Sequence, residues 1–276
     1  MNQNILLLTN SSIGLPTDLW LPVTERIKPQ QSWQYAAGVF KSLKNDIEVS
    51  VEGFYKDMKN LIEYKEGVDF FGNYNSWEDK IEVGNGNSYG VEFLIRKHSG
   101  KTNGWIGYTL SWSNRHFENL NFGNPFPYRY DRRHDLGIAI NHKFNDRVDL
   151  GIVYVFGTGN AVSLPIEKYP SQSISPPNYY YNSSIQYYDG RNGFRTPAYH
   201  RLDVGVNLTK EINLGTQTWS FGVYNLYNRQ NPFMIYFKEV YYGTGSSKTT
   251  LTKLSLFPII PSVSYNLKFK LKWKSY

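Results

Sequence analysis

The chain has 276 residues, a formal net charge of +7, no cysteine and 17% aromatic side chains. Without cysteine there is neither a disulfide framework nor a thiolate metal site. The lysines and arginines are spread along the chain rather than gathered into a nucleic-acid motif, so no nucleic acid partner is expected. Mean hydropathy is negative, and no stretch approaches the ~20 apolar residues of a membrane helix. Residues 1–33 read as loop: Pro16, Pro22 and Pro29 interrupt any ladder, and Gly14 with Ser11 and Ser12 favours turns. The four apolar residues that follow Asn4 are too few for the core of a leader peptide.

Alternation begins at residues 32–43. It sharpens at 47–55, where Ile47, Val49 and Val51 alternate with Glu48, Ser50 and Glu52 across a Lys44-Asn45-Asp46 turn. A long connection holding Trp77 runs to about residue 87. Residues 88–97 place Tyr89, Val91, Phe93 and Ile95 on one face, and 105–113 return with Ile106, Tyr108, Leu110 and Trp112. After a loop at 119–130, residues 132–144 (Leu136, Ile138, Ile140) and 147–156 (Val148, Leu150, Ile152, Tyr154, Phe156) pair across Asn145-Asp146. The longest loop, 157–199, is rich in Pro, Ser, Asn and Tyr.

The last third carries the clearest pattern. Leu202, Val204, Val206 and Leu208 alternate with Arg201, Asp203, Gly205, Asn207 and Thr209. Trp219, Phe221 and Val223 repeat it, the next turn falling at 212–216. After a connection at 229–252, Val263, Tyr265, Leu267 and Phe269 oppose Ser264, Asn266, Lys268 and Lys270. A period of two is the signature of a strand with one apolar face. The oil against that face is either a second sheet, as in a sandwich, or lipid, as in a membrane barrel.

The connections alternate short and long. In an up-and-down barrel that puts tight turns on one rim and long loops on the other, whereas a Greek-key sandwich has no reason for such regularity. The reading is therefore all-β: an antiparallel up-and-down transmembrane β-barrel, with outer-membrane lipid against its apolar face. The count is about nine strands, an odd number. An open sheet edge cannot stand in hydrocarbon, so the chain reads as the C-terminal part of a larger barrel. Residues 1–33 would be an extracellular loop region and residues 34–276 the wall. Two alternatives stay open: a self-contained small pore or adhesin, and a soluble carbohydrate-binding β-sandwich.

Six stretches carry a family resemblance. They are Asn-Ser-Ser-Ile-Gly-Leu-Pro-Thr-Asp-Leu-Trp (residues 10–20), Tyr-Asp-Arg-Arg-His-Asp-Leu (130–136), Tyr-Val-Phe-Gly-Thr-Gly-Asn (154–160), Arg-Leu-Asp (201–203), Tyr-Asn-Leu-Tyr-Asn (224–228) and Ser-Leu-Phe-Pro-Ile-Ile-Pro-Ser (255–262). In this order they resemble TonB-dependent outer-membrane receptors, most closely those of Bacteroidetes-type bacteria. The resemblance implies a complete barrel of about 22 strands with an N-terminal plug, here absent. It implies import of a scarce nutrient (an iron chelate, a corrinoid or a glycan) with TonB-transmitted energy. The implied partners are the missing N-terminal strands and plug, the TonB complex through that plug, the barrel-insertion machinery and a surface lipoprotein. The family's C-terminal aromatic residue matches Phe269, which makes Tyr265, Leu267 and Phe269 the candidate insertion signal.

No nucleophile elbow, catalytic triad order or phosphate-cradling glycine loop is present, so neither enzymatic activity nor a cofactor is expected. His98, His116, His134, His142 and His200 lack metal-ligand spacing. Asp131, Arg132, Arg133 and Asp135 lie where a loop enters a strand; Arg132 and Asp135, with Arg201 and Asp203, are read as a polar lumen network. The ligand candidates are loop aromatics, whose flat faces stack on sugars and chelate rings with little loss of rotamer entropy: Trp20, Trp77, Tyr179, Tyr180, Tyr181, Tyr187 and Tyr188.

Overall fold

A computed structural model describes residues 2–3, 5–9, 18–66, 68, 76–170, 184–243 and 246–270. Nine long strands form one antiparallel sheet: β1 (Gln30–Leu43), β2 (Ile47–Tyr64), β3 (Ile81–Lys97), β4 (Thr102–His116), β5 (His134–Asn145), β6 (Val148–Gly157), β7 (Tyr199–Ile212), β8 (Gly215–Tyr224) and β9 (Ile260–Phe269). Each pairs with its neighbours in sequence, so the sheet is a plain meander. The tight turns after β1, β3, β5 and β7 lie along one rim, and the long connections after β2, β4, β6 and β8 lie along the other.

The register sorts side chains as the alternation predicts, because residues directly opposite in an antiparallel pair share a face. Val39, Val51, Phe93, Tyr108, Leu136 and Phe156 form one cross-strand row. Val49, Ile95, Ile106, Ile138, Tyr154 and Leu202 form the next. Leu150, Val206, Phe221 and Val263 continue the face to the last strand. Among the described residues no second sheet covers it: Val39 is 73% exposed, Ile95 48% and Val263 62%. The other face carries polar rows such as Glu52, Glu92, Thr109 and Asp135.

Among the described residues the buried apolar core lies at the long-loop rim, where the ends of β2 and β3 meet the connections. Leu6, Leu8, Ile27, Ile62, Tyr64 and Ile81 form one cluster; Leu61, Phe117, Leu120 and Phe126 form a second.

Four stretches read as loop contain strand. In the loop at 119–130, Phe126–Pro127 pairs with β4. In residues 1–33, Asn2–Gln3 pairs with β1 and Ile5–Thr9 pairs with Asp18–Pro22. Leu6 and Leu8 alternate inward and are buried, and Pro22 and Pro29 fall at or just outside strand ends, where a missing N–H breaks no ladder. Connection 229–252 holds the hairpin Met234–Tyr242 with Ser246–Leu254. Connection 157–199 holds two short ladders, Ala161–Val162 with Phe194–Arg195 and Glu167–Pro170 with Ser184–Tyr187.

Half of the connection read at 56–87 is likewise strand, since β2 runs on to Tyr64 and β3 starts at Ile81. A bulge between Met58 and Leu61, with Asn60 left-handed at φ 59°, carries β2 past the break in its pattern. Gly84 and Gly86, which resemble turn residues, are instead close-approach residues. A Cβ on Gly84 would stand 2.4 Å from both the His116 carbonyl oxygen and Phe117 Cδ1, and one on Gly86 2.6 Å from the Asn114 carbonyl oxygen. Gly84→Ala is therefore expected to cost ~1–3 kcal/mol through overpacking. Gly53→Ala, whose Cβ would meet nothing nearer than 3.9 Å, should be close to neutral. Thermal loss of the folded band in detergent gels separates the two; equal behaviour would contradict the packing assigned to Gly84.

The polar loop rim as candidate functional site

The long-loop rim is built around two buried carboxylates. Glu63, near the end of β2, has no solvent exposure. Arg115 of β4 donates from Nη1 to Glu63 Oε1 at 2.8 Å and to the Ile62 carbonyl at 3.1 Å. Arg191, from the connection between β6 and β7, donates from Nη2 to Glu63 Oε2 and to the Tyr64 carbonyl, both at 3.1 Å. Arg115 also lies over the Tyr128 ring, 3.7 Å from its centroid. A carboxylate stripped of water is tolerable only when both oxygens are paired, and here each has its own guanidinium.

Asp131, before β5, is the second centre. It accepts the Ser113 N–H at 2.7 Å and is ion-paired to Arg195 and, at 3.5 Å, to Arg133. Arg195 Nη1 reaches the Asp131 carbonyl as well. Between the two arginines of residues 191–195, Asn192 is buried and donates to the Pro127 carbonyl at 2.9 Å. The root of the longest loop is thus stapled at two points to strands far away in sequence. Arg129 is buried, and its Nε and Nη1 have no hydrogen-bond partner among the described residues.

Burial, then the 2.5 Å hydrogen bond to Asp18, pushes the Tyr130 phenol up to about 12. The sign follows from linkage: a raised folded value stabilises the fold below the ordinary tyrosine range near 10, and that contribution is lost as pH climbs toward 12. Ultraviolet titration should show several late tyrosines, since burial raises Tyr128, Tyr188 and Tyr227 as well and the Glu239 hydrogen bond raises Tyr241. Asp18→Asn should bring the latest part of the curve to lower pH; an unchanged titration would contradict the Asp18 contact.

The sequence-predicted residues fall in several places. Arg132 pairs with Asp135 at 3.2 Å and Arg201 with Asp203 at 2.9 Å, as two separate ion pairs. Arg201 also donates to the Tyr224 and Tyr199 hydroxyls, and Asp203 accepts the N–H of buried Asn225. Trp20 is exposed on the short N-terminal hairpin. Trp77 packs against the cluster of Leu6, Leu8 and Ile62, which occupies it as a core contact. Tyr187 and Tyr188 are exposed, the Tyr188 hydroxyl donating to Gln186. Tyr179, Tyr180 and Tyr181 lie outside the described residues. Tyr265, Leu267 and Phe269 share one face of β9, and the strand ends at Phe269.

Glu63, Arg115, Arg191 and Arg195 were not singled out from the sequence. They stand 52, 128 and 64 positions from the groups they pair with, and no local pattern marks such partners.

The family model described as TonB dependent receptor-like, beta-barrel matches residues 9–226. No curated protein sequence matches the chain. Its fold is similar to that of the ferric-catecholate import receptor Fiu from K12 E. coli, at TM-score 0.52 and 14% identity over 88% of this chain and 28% of that one. It is similar also to the ferripyoverdine receptor of the Pseudomonas aeruginosa outer membrane, at TM-score 0.52 and 12% identity over 87% and 27%. The chain therefore spans less than a third of the length of these two receptors.

Proposed function

Since the chain belongs to the TonB-dependent receptor-like β-barrel family, we propose that it is part of the wall of an outer-membrane importer. The observation that carries this reading is the apolar face running over all nine strands, with nothing above it among the described residues. Exposed in water, such a face would be a severe aggregation hazard; against hydrocarbon it is matched.

The two outer strands support the partial-wall reading. Among the described residues β9 pairs only with β8, and β1 has only Asn2–Gln3 on its free side. Unpaired backbone costs several kcal/mol per group in lipid, so these edges require further strands, which we assign to the rest of a barrel of about 22. In this reading residues 34–276 form the C-terminal wall and residues 1–33 an extracellular region. Tyr265, Leu267 and Phe269 serve as the signal for the insertion machinery.

The opposite face argues for a protein plug rather than an open pore. Within its polar rows lies a smooth apolar lane: Leu94, Trp105, Gly107, Gly137, Ala139, Gly151, Val153, Val155 and Gly205. The Trp105 indole lies across Gly107 and Gly137 while remaining 41% exposed. A water-filled lumen gains nothing from such a lane; a packed domain does. The plug would engage TonB, and a Bacteroidetes-type receptor would add a surface lipoprotein. Arg132, Asp135, Arg201 and Asp203 would line the lumen, and the exposed loop aromatics would meet the cargo: an iron chelate, a corrinoid or a glycan. As a member of a receptor family it is a transporter component and not an enzyme.

The test is genetic. Disrupting this reading frame should abolish growth on one scarce nutrient supplied as sole source, and deleting TonB should abolish the same growth. Uptake that persists without TonB would favour a passive pore.

A further inference from the structure

On the apolar face, four rings stand in one cross-strand row over β1 to β4. Tyr35 lies opposite Tyr55, Tyr55 opposite Tyr89, and Tyr89 opposite Trp112. The Tyr89 and Trp112 rings stack 5.4 Å apart, with 10° between their planes. One row nearer the tight turns stand Ala37, Gly53, Val91 and Leu110. Two neighbouring strands carry almost no side chain there, and the sheet is hollowed beneath the rings. The hollow is a groove of about 450 Å³ lined by Tyr35, Ala37, Gly53, Tyr55, Val91 and Trp112 among others. Packing does not demand glycine at its floor, because a Cβ on Gly53 would meet nothing nearer than 3.9 Å. A glycine inside a strand weakens it, and one that no neighbour requires marks a place where something else approaches.

Toward the long-loop rim the next row is Trp33, Asp57, Asn87 and Asn114, so the apolar band ends here. At this level a second hollow, of about 470 Å³, is lined by Trp33, Tyr35, Tyr55 and Asp57. It shares Tyr35 and Tyr55 with the first, so the two are continuous. Trp33 is 69% exposed and Tyr35 67%. Asp57 accepts no hydrogen bond and joins no ion pair among the described residues, Lys56 and Lys59 included. Up to the bulge between Met58 and Leu61, it is also the only carboxylate that the register places on the apolar face of the nine strands, among the described residues.

A girdle of rings at the edge of the hydrocarbon accounts for the aromatic row by itself. It accounts for neither the carboxylate among the rings nor the bare floor below them. Those two features select a ligand. A carboxylate beside three aromatic side chains attracts a cation, since its charge and the negative ring faces act in the same direction. The groove that continues from it is apolar and takes hydrocarbon. A cation at the headgroup level joined to a chain beneath it describes an amphiphile with an ammonium head.

We propose that the joined grooves over β1 to β4 hold a membrane lipid with an ammonium headgroup, its nitrogen beside Asp57 and Trp33 and one chain lying over Ala37 and Gly53. This rests on the lipid-facing wall of the reading above, and on nothing about cargo or TonB. The experiment uses the whole receptor, extracted in detergent and stripped of lipid. It is titrated with phosphatidylethanolamine or with phosphatidylglycerol of the same chains, and bound lipid is counted by native mass spectrometry. The ethanolamine lipid should bind about fivefold more tightly or better. Asp57→Asn should erase that preference. Gly53→Leu, which fills the floor, should weaken both lipids about fivefold or more. Both variants should melt within about 2 °C of the parent, since neither position is buried. Equal binding of the two lipids, a preference that survives Asp57→Asn, or binding indifferent to Gly53→Leu would overturn the proposal and leave the wall reading intact. A dimer in place of bound lipid would give the face to a second copy of the chain and would overturn it as well. A receptor that stays soluble without detergent and takes up neither lipid would bring down the wall reading itself.

Discussion

Val204→Arg and Ile138→Arg are each expected to weaken the inserted fold by ~2–4 kcal/mol, the cost of an arginine on the lipid face near the midplane. Val204 sits opposite Ile152 on one side and Val223 on the other, and Ile138 opposite Ile106 and Tyr154, so both belong to continuous apolar rows. Asn207, three residues beyond Val204 on the same strand, points the other way and donates from Nδ2 to Asp149 Oδ1 at 2.8 Å. Asn207→Arg exchanges that bond for an ion pair with the same carboxylate and should be tolerated. Denaturant titration of the folded receptor in lipid vesicles measures all three; equal losses on both faces would refute the assignment of inside and outside.

Glu63→Ala should be the most damaging change at the loop rim. It leaves the Arg115 guanidinium without its carboxylate and Arg191 with only Glu66, 3.9 Å away, and breaking a buried ion pair from one side costs ~3–5 kcal/mol. Because Arg191 also holds Asn121, the loss should release the root of the 157–199 connection, not only soften β2. Limited trypsin digestion of intact cells should then cut at Arg191 or Arg195, which the parent protein protects. An undiminished resistance to trypsin would mean that Glu63 is not what anchors the loop. Glu63→Gln, which keeps the shape but loses the charge, should fall between the two.

The wall was legible in the sequence because its physics is local. Period-two alternation such as Leu202, Val204 and Val206 fixes which face each residue takes, and Asn145-Asp146 or Lys44-Asn45-Asp46 fixes where the chain reverses. The rim was not legible because its physics is distant. Trp77 has the look of a ligand aromatic, and only the fold brings Leu6 and Leu8 beneath it. Gly84 has the look of a turn, and only the neighbouring strand shows that its missing Cβ makes room for His116 and Phe117. Phe122 lies in a short unpatterned stretch, where nothing signals its left-handed backbone, with φ of 56°.

The absence of native cysteine makes the central claim directly measurable. Single cysteines at residues 202 to 207 can be spin-labelled one at a time in outer-membrane preparations, and their collisions with oxygen and with a water-soluble nickel complex compared. Labels at 202, 204 and 206 should favour oxygen, and labels at 203 and 207, on the polar part of the lumen face, should favour nickel. Even-numbered labels shielded from both reagents would mean that protein, not hydrocarbon, lies against Leu202, Val204 and Val206.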